Sequence, residues 1–157
     1  MDFIIIDTGA GVSNTVLKFL MAAEEVIVVT TPDPTAIMDG YTVIKALTLN
    51  GYKGKLNILT NIVNGRKEAY DTYNRLKTVS QNFLNCDLNF LGYLERSDLV
   101  IKAIRNQIPF LLLNPKSSVS KNMKIIALKY ADSKKQMYRE HNSGFADKLI
   151  KLIFQKR

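Results

Sequence analysis

Asp7-Thr8-Gly9-Ala10-Gly11 follows four large apolar residues, Phe3–Ile6. A carboxylate at the end of an apolar strand can hold a water bound to Mg²⁺, because that ion takes few carboxylates and keeps much of its hydration shell. Gly9 and Gly11 let the backbone approach a phosphate or move. Ser13 reads equally as the cap of the next helix, and strand plus turn without chemistry is a complete local account. Asn61, in LTNIVNGRKEA and near the end of a buried strand, carries a donor and an acceptor on one amide, which suits the edge of an adenine ring; a buried Asn satisfied by neighbouring backbone is the alternative. Pro32 and Pro34 around Asp33 form a stiff turn that starts a helix, and nothing local makes Asp33 catalytic.

These residues need elements to position them. Four apolar runs read as buried parallel strands: Phe3–Asp7, Val26–Thr31, Leu56–Val63 and Leu88–Leu94. They are short, β-branched or aromatic, and lack polar alternation, as strands covered on both faces do. Helical segments lie between them: Ser13–Ala23, Pro34–Leu49 with Asp33 as cap, Lys67–Phe83, and Ser97–Asn106 with Ser97 as cap. IPFLLLNP reads as a short strand stopped by Pro115. Helices over Ser117–Ala131 and Phe145–Gln155 complete the chain, and residues 133–144 are the one linker-like stretch. The alternation predicts an α/β fold, a partial, doubly wound, mainly parallel sheet with helices on both faces, in one domain over residues 1–157. Ligands of such folds sit beyond the C-terminal strand ends, so the turns after Asp7, Thr31, Val63 and Leu94 are where a site belongs.

Apolar content of 46% and charged content of 23% exclude a disordered chain. A single cysteine, Cys86, excludes an internal disulfide. With no histidine close in sequence, Cys86 reads as a small core residue, not a nucleophile. His141 has no second ligand beside it for a metal. The apolar runs fall far below the roughly 20 residues of a membrane span, and the acidic N-terminus lacks the basic region of a secretory signal. The expectation is a cytoplasmic protein, peripheral at most at the inner face of the cell membrane.

The net charge of +8 is uneven: residues 1–115 balance, and residues 116–157 carry the whole excess. Near the end, Phe145, Leu149, Leu152 and Ile153 share a helical face with Lys148 and Lys151 around it. A basic helix over 145–157 with such a face either lies on an anionic membrane surface or packs as an ordinary terminal helix. DNA is a weaker reading, since no aromatic interleaving or base-reading motif accompanies the lysines.

Taken together, DFIIIDTGAGVS, TTPDPTAIMDGYTVIK, NIVN and LGYLERSDLVIKAIRNQIPFLLLNP resemble, in order, segments of the MinD/ParA family of P-loop ATPases, nearest its FlhG-like regulators of flagellar number and placement. The resemblance covers essentially the whole chain. It implies a P-loop NTPase-like fold that uses ATP and magnesium. It gives Asp7 the orienting of Mg²⁺ and its water, Gly9 and Gly11 a switch turn that responds to the γ-phosphate, and Asn61 the reading of adenine. It lays the backbone of Leu94, Glu95 and Arg96 along the base; Leu94 stands where the family often has Pro. It implies a membrane-targeting terminal helix and partners among flagellar assembly proteins such as an FlhF-like GTPase.

One family part is absent from these 157 residues: no G-x-x-x-x-G-K-[ST] occurs, and NGYKGK at 50–55 reads as a turn. Phosphoryl transfer is mostly positioning and charge stabilisation. The chain therefore looks like the C-terminal portion of a longer ATPase that does not hydrolyse ATP alone and binds no nucleotide tightly. The family sets the P-loop strand between FIIID and VIVVTT, so the expectation includes open strand edges and self-association through them. Two other readings stand beside this one: a non-catalytic adaptor that binds a membrane or a protein, and a fragment of a chromosome- or plasmid-partition ATPase.

Overall fold

The computed structural model describes residues 3–137 and Ile150. Its centre is a three-stranded parallel sheet in the order β1 (Glu25–Thr30), β2 (Lys55–Val63), β3 (Asn89–Glu95). β1 and β2 run in step from Glu25↔Lys55 to Thr30↔Thr60. Helices alternate with the strands: α1 (Asn14–Ala22), α2 (Pro34–Leu49), α3 (Arg66–Leu84), α4 (Asp98–Arg105), α5 (Phe110–Leu113) and α6 (Ser118–Met137).

Local chemistry sets the helix starts. Ser13 Oγ accepts from the Val16 amide at 3.3 Å, and Asp33 Oδ1 from the Thr35 amide at 2.8 Å with Pro34 in the first turn. Ser97 precedes α4 without a side-chain cap bond. α3 ends on Asn85 in the left-handed conformation.

β2 has neighbours on both sides and helices on both faces, so Leu56–Thr60 are all buried. One face joins Val26, Val28, Leu56 and Ile58 to Ile44 and Leu47 of α2 and to Tyr73 and Leu76 of α3. Leu17, Leu20 and Met21 of α1 pack against this core. Tyr73 Oη donates to the Leu88 carbonyl at 2.6 Å, which ties α3 to the start of β3. The Phe90 ring lies 4.5 Å from that of Tyr70 and 5.1 Å from that of Tyr73. The other face is smaller: Leu59 and Leu94 pack on Val119 and Ile126 of α6, with Phe110 and Met123 at its margin. Gly92 is the contact that brings α6 close, since a Cβ there would sit 2.7 Å from Ile126 Cγ1.

Four features differ from the sequence expectation. Phe3–Asp7 has no regular secondary structure and joins no ladder among the described residues, and Phe3, Ile4, Ile5 and Ile6 are exposed. An apolar run becomes a strand only when a neighbour takes its backbone groups. IPFLLLNP is helical at its centre: the amides of Leu112 and Leu113 both donate to the Pro109 carbonyl. A four-residue apolar run has no periodicity to separate helix from strand, and here Phe110 buries into the second core as part of a turn. α6 continues through Met137, past the start of the expected linker, because Lys, Gln and Met there favour helix and no Gly or Pro intervenes. β1 buries only alternate residues, leaving Ile27 and Val29 exposed, because no helix among the described residues covers its second face. The expected helix over Phe145–Gln155 and its site residues Phe145, Lys148, Leu149, Lys151, Leu152 and Ile153 lie outside the described residues, as does His141. Cys86 is half-buried against the first core.

Gly92→Ala is expected to lower stability by about 1–3 kcal/mol, the usual cost of forcing a methyl into a packed contact. Gly40→Ala, whose nearest neighbour is Val28 Cγ1 at 3.4 Å, is expected to cost less. Urea unfolding of the two variants makes the comparison.

Candidate functional site

The C-terminal strand ends gather the candidate residues of β2 and β3. Asn61 lies near the end of β2, half-buried, and its Oδ1 accepts from the Ile62 amide at 2.9 Å. Ile62 has φ 56, a conformation that crowds a β-branched side chain. The ladder loses step here: Thr60 pairs with Tyr93, and the next pair is Val63 with Glu95. This bulge turns the strand end aside at the residue read as an adenine contact. Across it, the Arg96 amide donates to the Val63 carbonyl at 2.9 Å, and Glu95 Oε2 accepts from Ser118 Oγ at 3.1 Å. Leu94 is buried against Leu59 and α6, so its side chain builds the wall from behind. The structure thus brings Asn61 and Leu94–Arg96 together on adjacent strands.

Beside this wall an open cleft of about 580 Å³ lies between the β1–α2 turn at Pro32 and the start of α3. Arg66, Lys67 and Arg75 line it with Asp71. Glu68 folds back, its carboxylate accepting from the Asn64 amide at 2.6 Å and from Asn64 Nδ2 at 3.3 Å. This fixes the turn and sets negative charge on the positive end of the helix. Arg66 stands 5.4 Å above the Tyr70 ring. The sequence reading passed over this basic rim; Gly65-Arg66-Lys67 directly after a strand was its signal.

Asp7, Gly9 and Gly11 are not gathered in. All three are exposed, Gly11 has φ +89, and no heavy atom lies within 4 Å of a Cβ built at either glycine. Among the described residues no hydrogen bond, ion pair or ring contact joins Asp7 to Asn61 or to Leu94–Arg96. The residues present are of the type that the base side of a nucleotide would meet, an amide and a run of backbone, although Asn61 Oδ1 already accepts from the Ile62 amide, as an Asn satisfied by neighbouring backbone does. They do not fit its phosphate and magnesium side, where a lone exposed carboxylate has no phosphate cradle beside it.

A parallel α/β sheet flanked by helices gives the chain a fold consistent with a partial P-loop NTPase-like domain. No protein-family profile matches it. It is 38% identical over 128 residues to the flagellum site-determining protein YlxH of Helicobacter pylori, covering 81% of this chain and 43% of that protein. It is 30% identical over 129 residues to the antiactivator FleN of Pseudomonas aeruginosa, covering 82% and 46%. It is 32% identical over 127 residues to the septum site-determining protein MinD of Thermotoga maritima, covering 80% and 45%. The chain belongs to the MinD/ParA family, on its FlhG-like side. It spans less than half the length of these relatives. Among the described residues no helix is long and apolar enough to cross a membrane.

Two substitutions probe the strand ends. Thr60 is fully buried and its Oγ1 has no partner, so Thr60→Val is expected to raise stability by about 1 kcal/mol in urea unfolding. The hydrogen bond from Thr35 holds the Asp33 carboxyl below its ordinary value of 3.8. A carboxyl depressed in the folded state stabilises fully above about pH 5, and the effect fades as the pH falls through the folded value. Melting followed from pH 6 to pH 3 is expected to fall less steeply for Asp33→Ala than for the parent.

Proposed function

We propose that the chain acts in the placement and number of flagella, as the portion of an FlhG-like ATPase that carries the base side of the nucleotide site and the partner-facing surfaces. The observation that carries this reading is the 38% identity to a flagellum site-determining protein over 81% of the chain. The meeting of Asn61 with Leu94–Arg96 at the strand ends supports it. In a complete protein, ATP and magnesium would meet Asp7 and the Gly9–Gly11 turn, with Asn61 reading adenine. ATP with its metal supplies the free energy of hydrolysis. This chain's own residues orient the base and line the strand-end cleft with Arg66, Lys67 and Arg75. Without a P-loop sequence among its 157 residues, the chain by itself does not turn ATP over.

Its partners in this reading are a second copy of itself, a flagellar assembly protein such as an FlhF-like GTPase, and an anionic membrane reached through residues 145–157, with a cytoplasmic, peripheral location. An adaptor role without nucleotide has one observation in its favour: Ile104 and Leu112, on α4 and α5, are 71% and 73% exposed. Such apolar groups, with Lys102 and Arg105 on the same helix, offer a surface to a protein partner.

The test has two parts. Expression in a polarly flagellated bacterium is expected to change the number or position of flagella counted by electron microscopy; unchanged counts at confirmed expression would overturn the flagellar role. The purified chain with Mg-ATP is expected to release no phosphate above background. Steady turnover that disappears in Asp7→Ala would overturn the claim of inactivity.

A further inference from the structure

Asn-Gly occurs twice in the chain, at Asn50-Gly51 and at Asn64-Gly65. The pair has its own chemistry in water. The peptide nitrogen after an Asn can attack the side-chain carbonyl carbon, and glycine has no side chain to hinder the approach. The two atoms meet only after the Asn turns about ψ and χ1. Every hydrogen bond on the reacting groups resists that turn.

Both asparagines are exposed, so exposure does not separate the two sites. Hydrogen bonding does. Asn50 closes α2: its backbone amide donates to the Ala46 carbonyl at 3.1 Å and its Nδ2 to the same carbonyl at 2.8 Å. The attacking nitrogen, that of Gly51, donates to the Thr48 carbonyl at 3.0 Å, and the Tyr52 amide follows onto the Leu47 carbonyl at 3.0 Å. Reaction there has to undo the end of the helix. Asn64 stands in the turn between β2 and α3. Among the described residues the Gly65 amide donates to no group. A Cβ built at Gly65 meets nothing within 4 Å, so the turn has room to close a ring. The Asn64 side chain is held by one contact, Nδ2 to Glu68 Oε1 at 3.3 Å, beyond the usual range for such a bond. The shorter bond, from the Asn64 amide to Glu68 Oε2 at 2.6 Å, is made before Cα and leaves both rotations open.

We propose that Asn64 is a site of spontaneous deamidation, and that the fold protects Asn50 from the same reaction. The Gly65 nitrogen loses its proton and bonds to Asn64 Cγ. Nδ2 takes up a proton and leaves as ammonia, which closes a five-membered succinimide. Water then adds to either ring carbonyl and breaks its bond to nitrogen, leaving aspartate or isoaspartate at position 64. Water is consumed and ammonia released, with no oxidant or cofactor.

The product changes the cleft. Arg66, Lys67 and Arg75 line it with Glu68 and Asp71, and Asn64 is part of the same wall. A further carboxylate at position 64 cancels the cationic excess of that lining. It also replaces the Nδ2 donor, so two carboxylates stand where an amide met one. Their repulsion loosens the turn that starts α3.

The full 157-residue chain, incubated at mildly alkaline pH, is followed by peptide mapping with mass spectrometry and isoaspartate detection. In the folded chain Asn64 is expected to react on the order of tenfold faster than Asn50, the difference that one or two hydrogen bonds make. In urea the two sites are expected to react alike. Equal rates in the folded chain, or faster reaction at Asn50, would overturn the proposal. Asn64→Asp makes the product directly. It is expected to melt below the parent, and Glu68→Gln in the same chain to recover most of the loss. If Asn64→Asp fails to fold, the deamidated fraction separated by ion exchange is melted in its place. Melting at the parent's temperature would overturn the loosening of the turn and leave the deamidation standing.

Discussion

A parallel strand cannot be completed alone. Its backbone groups need a neighbour on each side, and its side chains need a layer on each face. Among the described residues β2 is the one strand that has all four. Its residues Leu56–Thr60 are buried without alternation, and even Asn57 is held inside, its Nδ2 donating to Glu25 Oε2 at 3.0 Å. β1 and β3 are ordered by pairing to it. The helices then sort onto two faces by which side of β2 their apolar stripes can reach. α2 and α3 take the side of Ile58, and α6 takes the side of Leu59.

The same strand explains where the site forms. While the ladder is regular, backbone groups of β2 are spent on β1 and β3. The pairing with β3 slips once between Ile58 and Leu59 and again beyond Thr60, where Ile62 adopts a positive φ and the Asn61 side chain bonds the next amide. A strand leaving its sheet frees polar groups at a fixed position, and here Arg96 closes the gap through the Val63 carbonyl. Strain of this kind persists where the surrounding packing over-determines it. Val63 and Leu94, both buried on either side of the bulge, supply that packing. The basic cleft at the start of α3 sits one residue further along the same turn. The bulge at Asn61 and the cationic rim are thus two consequences of where β2 ends.

The outer boundary of the fold follows from what β2 does not reach. Among the described residues the second face of β1 has no helix, and Phe3–Asp7 has no ladder. Asp7 and its glycines form a turn of the right composition on a segment that no packing holds against the strand ends. Among the described residues the Asp7 turn is therefore not joined to the strand ends where Asn61 and Leu94–Arg96 meet. The relatives extend well beyond the region they share with this chain.

Much of this was legible in the sequence. β-branched runs separated by capped helices gave three strands and the helices between them to within a residue or two, because those signals are local: Asp33 and Pro34 start α2 whatever lies around them. Motif order gave the family, because side-chain types at fixed spacing survive where overall identity falls to a third. Three things were decided only by tertiary structure. Whether FIIID is a strand depends on a neighbour's backbone, which no property of those residues contains. Whether FLLL is strand or helix turned on Phe110 finding a pocket between α6 and β3. The gathering of Asn61 with Leu94–Arg96 came from a slip in register between strands some 30 residues apart, and register is a property of the pair, not of either sequence.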